Sequence, residues 1–131
     1  MSFKRPSIGD TAREMGDSLR RGEDAEARRL AFHFVETYDR AGADERRRIV
    51  ADEPASTGDD RFDSLVAAIV EFSCARHMVP APAWVEGSSR FLEQWWFVSG
   101  LPSLHADAIA HSPISFARRG VFITEDALTY A

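Results

Sequence analysis

The stretch DDRFDSLVAAIVEFSCARH, residues 59–77, decides the fold class. Phe62, Leu65, Val66, Ile69, Phe72 and Ser73 recur at three- and four-residue steps, the spacing of one helical face. Val70 and Cys74 widen that face, so this helix is expected to be buried on more than one side. Asp59 or Asp60 supplies an N-cap, and Asp63 lies near the N3 position. Pro80 and Pro82 stop the helix and force an extended link. A helix covered on several sides needs other elements around it, and the remaining chain must supply them.

Towards the N-terminus, Pro54 to Gly58 reads as a linker. Before it, Ala27, Leu30, Ala31, Phe34, Val35 and Tyr38 predict a helix over 23–41. Glu23, Asp24 and Glu26 occupy its first turn, where the helix dipole favours anions, and Gly42 suits a C-cap. Residues 44–51 make a short polar helix with Ile49 and Val50. Residues 8–21 make another, with Ala12, Met15 and Leu19 on one face and Gly22 as its stop. Met1 to Gly9 is expected to be frayed.

Towards the C-terminus, Ser88 or Ser89 caps an expected helix through Phe91, Leu92, Trp95 and Trp96. Gly100 and Pro102 break it, and residues 101–111 give Leu104, Ala108 and Ile109 on one face. Ser112-Pro113 reads as an N-cap followed by proline at the first helical position, opening a short helix through Phe116 that Gly120 closes. Arg118 and Arg119 end that helix, and Gly120 is expected to be left-handed. Residues 121–123 are one extended segment, and Thr124 caps a last turn with Glu125 and Asp126. No pair of alternating strands is present. The expected fold is all-α: a compact bundle of six or seven short helices with an N-terminal helical arm and room for one short extended segment.

The chain has 131 residues and a formal net charge of −5, which lowers the prior for nucleic-acid binding. Divided at the linker, residues 1–53 carry 11 of the 16 basic residues and most of the rings lie in the second part. The expected organisation is an arm over 1–57 and an aromatic helical domain over 58–131. No apolar run is long enough to span a bilayer, and the N-terminus has no signal-peptide core. Cys74 is the single cysteine and forms no internal disulfide. These features suit a reducing cytoplasm.

Little in the chain points to catalysis. There is no phosphate-binding glycine loop or dinucleotide fingerprint. His33, His77, His105 and His111 include no i, i+4 histidine pair, so no metal and no cofactor are expected. Asp107 and His111 are spaced for one hydrogen bond. Cys74 sits mid-helix among apolar residues, an environment for an inert thiol rather than a nucleophile. The clusters Arg20-Arg21, Arg28-Arg29 and Arg46-Arg47-Arg48 alternate with acids, as solvated helix faces do.

The informative stretch is Trp84 to Phe97, with all three tryptophans, Phe91 and Phe97. Trp95-Trp96-Phe97 places three rings in a row, and consecutive helical residues point about 100° apart. At least one ring must therefore reach the surface, a groove or another segment. Either Trp84 folds over it, or it is an aromatic anchor at a protein interface, where Trp and Arg dominate. The candidate partner-binding residues are Leu30, Phe34 and Tyr38 on the arm, with Trp84, Arg90, Trp95, Trp96 and Arg119 in the second part.

Pro82-Ala-Trp84, Arg90-Phe91-Leu92-x-x-Trp95-Trp96-Phe97, Leu101-Pro102-Ser103-Leu104, Ala106-Asp107-Ala108 and Ser112-Pro113-x-x-Phe116-x-x-Arg119-Gly120-Val121-Phe122-Ile123 form a pattern. It resembles a C-terminal domain of small actinobacterial proteins. Some of these follow a helix-turn-helix module, and some are antitoxins paired with nucleotidyltransferase-like toxins of the AbiEii class. The resemblance spans roughly residues 60–131, and residues 1–58 carry no helix-turn-helix pattern. It implies a non-enzymatic antitoxin that occludes a toxin's active-site cleft. Two other readings stand beside it: a DNA-binding autoregulator using the arginine clusters, and a homodimer or larger homo-oligomer that pairs exposed rings.

Overall fold

The computed structural model describes residues 4–128, except for the side chains of Glu125 and Asp126. The fold is all-α. Helices α1 (Ile8–Arg20), α2 (Asp24–Arg40), α3 (Ala43–Ala51) and α4 (Asp60–Arg76) lead, followed by 3-10 turns at Ala83–Glu86 and Ser88–Arg90. Strand β1 (Trp96–Phe97), a 3-10 turn at Pro102–Leu104, α5 (His105–His111), α6 (Ile114–Ala117), β2 (Val121–Phe122) and a 3-10 turn at Glu125–Leu128 complete the chain.

Local chemistry explains the helix ends. The Ser7 hydroxyl accepts from the Asp10 N–H at 3.1 Å, and the Asp10 carboxylate accepts from the Ser7 N–H at 3.0 Å, a reciprocal capping box. Ile8 already belongs to α1, so the expected fraying does not extend to it; residues 1–3 lie outside the described residues. Asp59 caps α4 through the Arg61 N–H. Helices α1 and α4 finish the same way. In α1, the Gly22 and Glu23 N–H groups donate to the Leu19 and Ser18 carbonyls; in α4, those of Met78 and Val79 donate to Ala75 and Cys74. The left-handed residue is Gly22 at φ +74° in the first and Met78 at φ +56° in the second.

Helix α4 is the centre of the bundle. Phe62, Leu65, Val66, Ala67, Ala68, Ile69, Val70 and Cys74 are all buried, as the breadth of its apolar face predicts. Helices α1, α2 and α6, strand β2 and the 3-10 turns at Ala83–Glu86 and Ser88–Arg90 all pack on it. Ile8, Met15, Phe34, Val35, Tyr38, Phe116, Val121 and Ile123 join it in one continuous core.

Four expectations are corrected. The first is the arm. Among the described residues of 1–57 there is no separate layer awaiting a partner: α1 and α2 share the core of α4. Polar ties cross the same divide, with Trp84 Nε1 donating to the Val50 carbonyl at 2.9 Å and His77 Nε2 lying 2.8 Å from Asp39 Oδ1.

The second is the helix expected through Trp95. Residues 91–95 are irregular, and Trp96–Phe97 is a strand parallel to Val121–Phe122. The Leu92, Trp96 and Val98 N–H groups donate to the Arg119, Gly120 and Phe122 carbonyls at 3.0, 2.8 and 2.9 Å. Aromatic residues suit a pleated, half-buried surface, and the extended segment at 121–123 supplies the partner strand.

The third is the cap at Ser112. Its hydroxyl donates to the Ala108 and Ile123 carbonyls and accepts from the Ile123 N–H at 2.9 Å, so it ties β2 to α5 instead of capping α6. The fourth is Gly42. It precedes α3 at φ −76°, whereas α2 ends at Ala41 in an extended conformation.

Candidate functional site

The two-strand sheet sorts the rings. Strand residues alternate between faces, so Trp96 and Phe97 point opposite ways: Trp96 turns inward, and the ring of Trp95, just before the strand, lies against Phe97 on the outer face, centroids 6.4 Å apart. Trp96 packs on Phe62 with centroids 5.1 Å apart, and the Arg61 guanidinium lies 5.1 Å over the Trp96 ring. On the outer face, Trp95 meets Phe122 edge-on at 4.9 Å, and Phe97 stacks on Phe122 at 5.3 Å. His105, from α5, stacks on Phe97 at 3.8 Å.

Gly120 takes a left-handed φ of +79°, which glycine adopts without strain, and the Trp95 ring comes close above it, 3.6 Å from where a Cβ would stand. The Trp95 indole therefore lies over a backbone that has no side chain beneath it. It remains 64% exposed, an unusual exposure for a ring with its apolar area.

Beside Trp95 lies a cleft of about 660 Å3. Phe91, Leu92, Trp95 and Trp96 form its apolar wall, while Asp60, Arg61, Ser88, Ser89, Glu93 and Gln94 supply its polar lining. Arg61 is already engaged, 3.2 Å from Asp59 and stacked on Trp96. Asp60 and Glu93 are exposed and have no ion-pair partner among the described residues. From Phe91 to Ala117 the chain contains neither lysine nor arginine. Trp95, Leu101, Ile109 and Ile114, four of the five large apolar residues exposed among those described, all come from residues 95–114.

Two buried arginines hold the scaffold under this surface. Arg119 has no exposed side chain; it donates to the Ser115 and Val85 carbonyls at 2.8 Å and to Glu71 at 3.2 Å, and it sits 4.8 Å over the Phe91 ring. Arg118 also binds Glu71 and Glu86. Burial by itself raises the Glu71 pKa, but hydrogen bonds from Arg118 and Arg119 hold it down to about 2. Arg90 donates to the Asp63 and Pro54 carbonyls at 3.2 and 3.1 Å, binds Glu53 at 3.1 Å, and lies 5.0 Å over Trp84.

The predicted site residues thus separate. Phe34 and Tyr38 are core residues, 1% and 0% exposed; the face of α2 read as an open binding surface is the one that packs on α4. Leu30 is half-buried at the edge of that core. Arg90 and Arg119 are buried braces, because their guanidinium groups donate to the Pro54 and Val85 carbonyls, far from them in sequence. Trp84 covers Arg90 rather than Trp95. Trp96 is half-buried, and Trp95 alone of the eight is largely exposed. Phe97, Phe122 and His105 extend the site and are not among the candidate partner-binding residues. The i, i+2 spacing of Trp95 and Phe97 was the signal that could have found them.

Other chemistry has little footing. Cys74 is buried, and burial raises its thiol pKa above the ordinary value. Among the described residues no group of three His, Cys, Asp or Glu side chains is placed to hold a metal ion. His111 pairs with Asp107 at 2.9 Å. Among the described residues no helix is long and apolar enough to cross a membrane. No protein-family model, curated protein or solved structure matches the chain.

Proposed function

We propose that the chain is a non-catalytic protein-recognition module that neutralises a nucleotidyltransferase-like toxin by covering its active-site cleft. The observation that carries the recognition part is Trp95, 64% exposed with its ring against Phe97 and Phe122, and one of four exposed large apolar side chains from residues 95–114. Large exposed apolar patches mark interaction surfaces, and tryptophan is the residue most enriched at interface hot spots. The class of partner comes from the resemblance of roughly residues 60–131 to a C-terminal domain that some antitoxins carry. The net charge of −5 also suits a partner whose cleft must hold phosphates, since an acidic protein is steered to such a cleft.

The arginine clusters support this choice over DNA binding. Arg21 pairs with Glu23, Arg29 with Glu26, Arg47 with Asp44 and Arg48 with Glu45, and Arg46 donates to the Tyr38 and Asp39 carbonyls. Arg20 likewise pairs with Asp17, so Arg28 apart, these clusters are engaged within the chain rather than directed at phosphates.

The test is co-expression with the product of the neighbouring reading frame. The expected result is co-purification in a fixed ratio and relief of the partner's growth inhibition. Independent migration of the two proteins, or inhibition that persists when both are expressed, overturns the reading.

A further inference from the structure

The cleft beside Trp95 combines three features that together specify an occupant. One wall is aromatic, with the exposed face of Trp95 beside Trp96, Phe91 and Leu92. Its uncommitted charges are the carboxylates of Asp60 and Glu93. Its own cation, Arg61, is held by Asp59 and stacked on Trp96, so it leaves the acidic groups uncompensated. The cleft is also about 660 Å3 in volume, within the range of pockets that accept several side chains.

We propose that this cleft receives an arginine-bearing apolar segment of the partner protein. The reading rests on the protein-recognition function above and names its surface and chemistry. An incoming guanidinium stacks on the Trp95 indole, the most favourable ring for a cation, and presents its N–H donors to Glu93 and Asp60. An aliphatic neighbour in the same segment lies along Phe91 and Leu92. The arrangement repeats, with an outside cation, what Arg61 already does on Trp96 and what Arg90 does on Trp84. A nucleic-acid strand does not fit, because its phosphates would face Asp60 and Glu93, and the one cation of the cleft, Arg61, is already held by Asp59.

The experiment selects phage-displayed random dodecapeptides on the immobilised full chain, sequences the enriched pool and synthesises the leading peptide. The expected pool is rich in arginine next to aliphatic residues. Binding of the leading peptide is expected to weaken about tenfold on Trp95→Ala, as at an aromatic hot spot. It should weaken about threefold on Glu93→Gln and fall with added salt, as exposed charge pairs do. Glu93→Gln changes an exposed residue and leaves the core untouched, so it keeps the test valid if Trp95→Ala alters the fold. An enriched pool without basic residues, no enrichment, or a peptide indifferent to both substitutions overturns the proposal.

The two readings fail separately. A neighbouring-frame partner that binds wild type and Trp95→Ala equally overturns this surface and leaves the function standing. Selection of arginine peptides without partner capture does the reverse.

Discussion

Glu71 shows at the residue scale how a buried network fixes a pH response. Its carboxyl is held to about 2 against burial by Arg118 and Arg119, compared with 4.5 when unperturbed. A depressed acid contributes stability above its unfolded pKa and loses it as the pH falls towards the folded value. The melting temperature should therefore fall between pH 4.5 and 2. Glu71→Gln is expected to be less stable at pH 7, because Arg119 keeps no carboxylate, and to have a flatter acid limb. Thermal melts of both proteins across this range check the sign, and parallel curves would remove Glu71 from the account.

The two neighbouring tryptophans make a second residue-scale contrast. Trp96→Ala empties the space over Phe62 and beside Arg61 and should cost about 3 kcal/mol in urea unfolding. Trp95→Ala removes mainly an edge contact to Phe122 and should cost about 1 kcal/mol. Equal losses would mean that Trp95 is a structural ring, and the anchor reading would then lose its basis. The sequence placed three rings in a row and required one to be displaced. It did not say which, because a helix and a strand distribute consecutive residues differently.

At the scale of elements, α1 and α4 end in the same hydrogen-bond pattern but with different residues. Gly22 takes the left-handed position without strain, whereas Met78 takes it with a Cβ and 93% exposure. The Met78 side chain has almost no burial to set against that strain. Met78→Gly should therefore stabilise the chain by about 0.5–1 kcal/mol, the left-handed penalty less the larger unfolded entropy of glycine. An unchanged or lower urea midpoint would show that Met78 makes a contribution its exposure hides. Helices α1, α2 and α4 were readable from spacing because each holds several turns of periodic apolar residues, and the shorter α3 from the breaks on either side of it. The segment from Ser88 to Phe97 was not, since its 3-10 turns and two-residue strand are too short to establish a period. Its strand exists only because Gly120 and Phe122 lie alongside to accept the Trp96 and Val98 N–H groups.

For the whole molecule, one core predicts one unfolding transition. Residues 58–131 expressed alone would leave open the side of α4 that α1 and α2 cover, and would lose Val50 as acceptor for Trp84. That fragment is expected to lack a cooperative melt, while the full chain shows a single transition with coincident fluorescence and circular dichroism. A fragment that melts cooperatively would restore the two-part organisation that composition suggested.

Periodicity and capping chemistry are local, and they were enough to specify an all-α chain, the first four helices and a central helix buried on several sides. Composition also placed most of the rings in the second half. Which apolar faces meet is a long-range matter, because hydrophobic attraction is non-directional and any apolar stripe satisfies any other. Only the tertiary structure therefore assigned Phe34 and Tyr38 to the core, turned Arg90 and Arg119 into braces for carbonyls distant in sequence, and left Trp95 facing solvent beside an acidic, aromatic cleft.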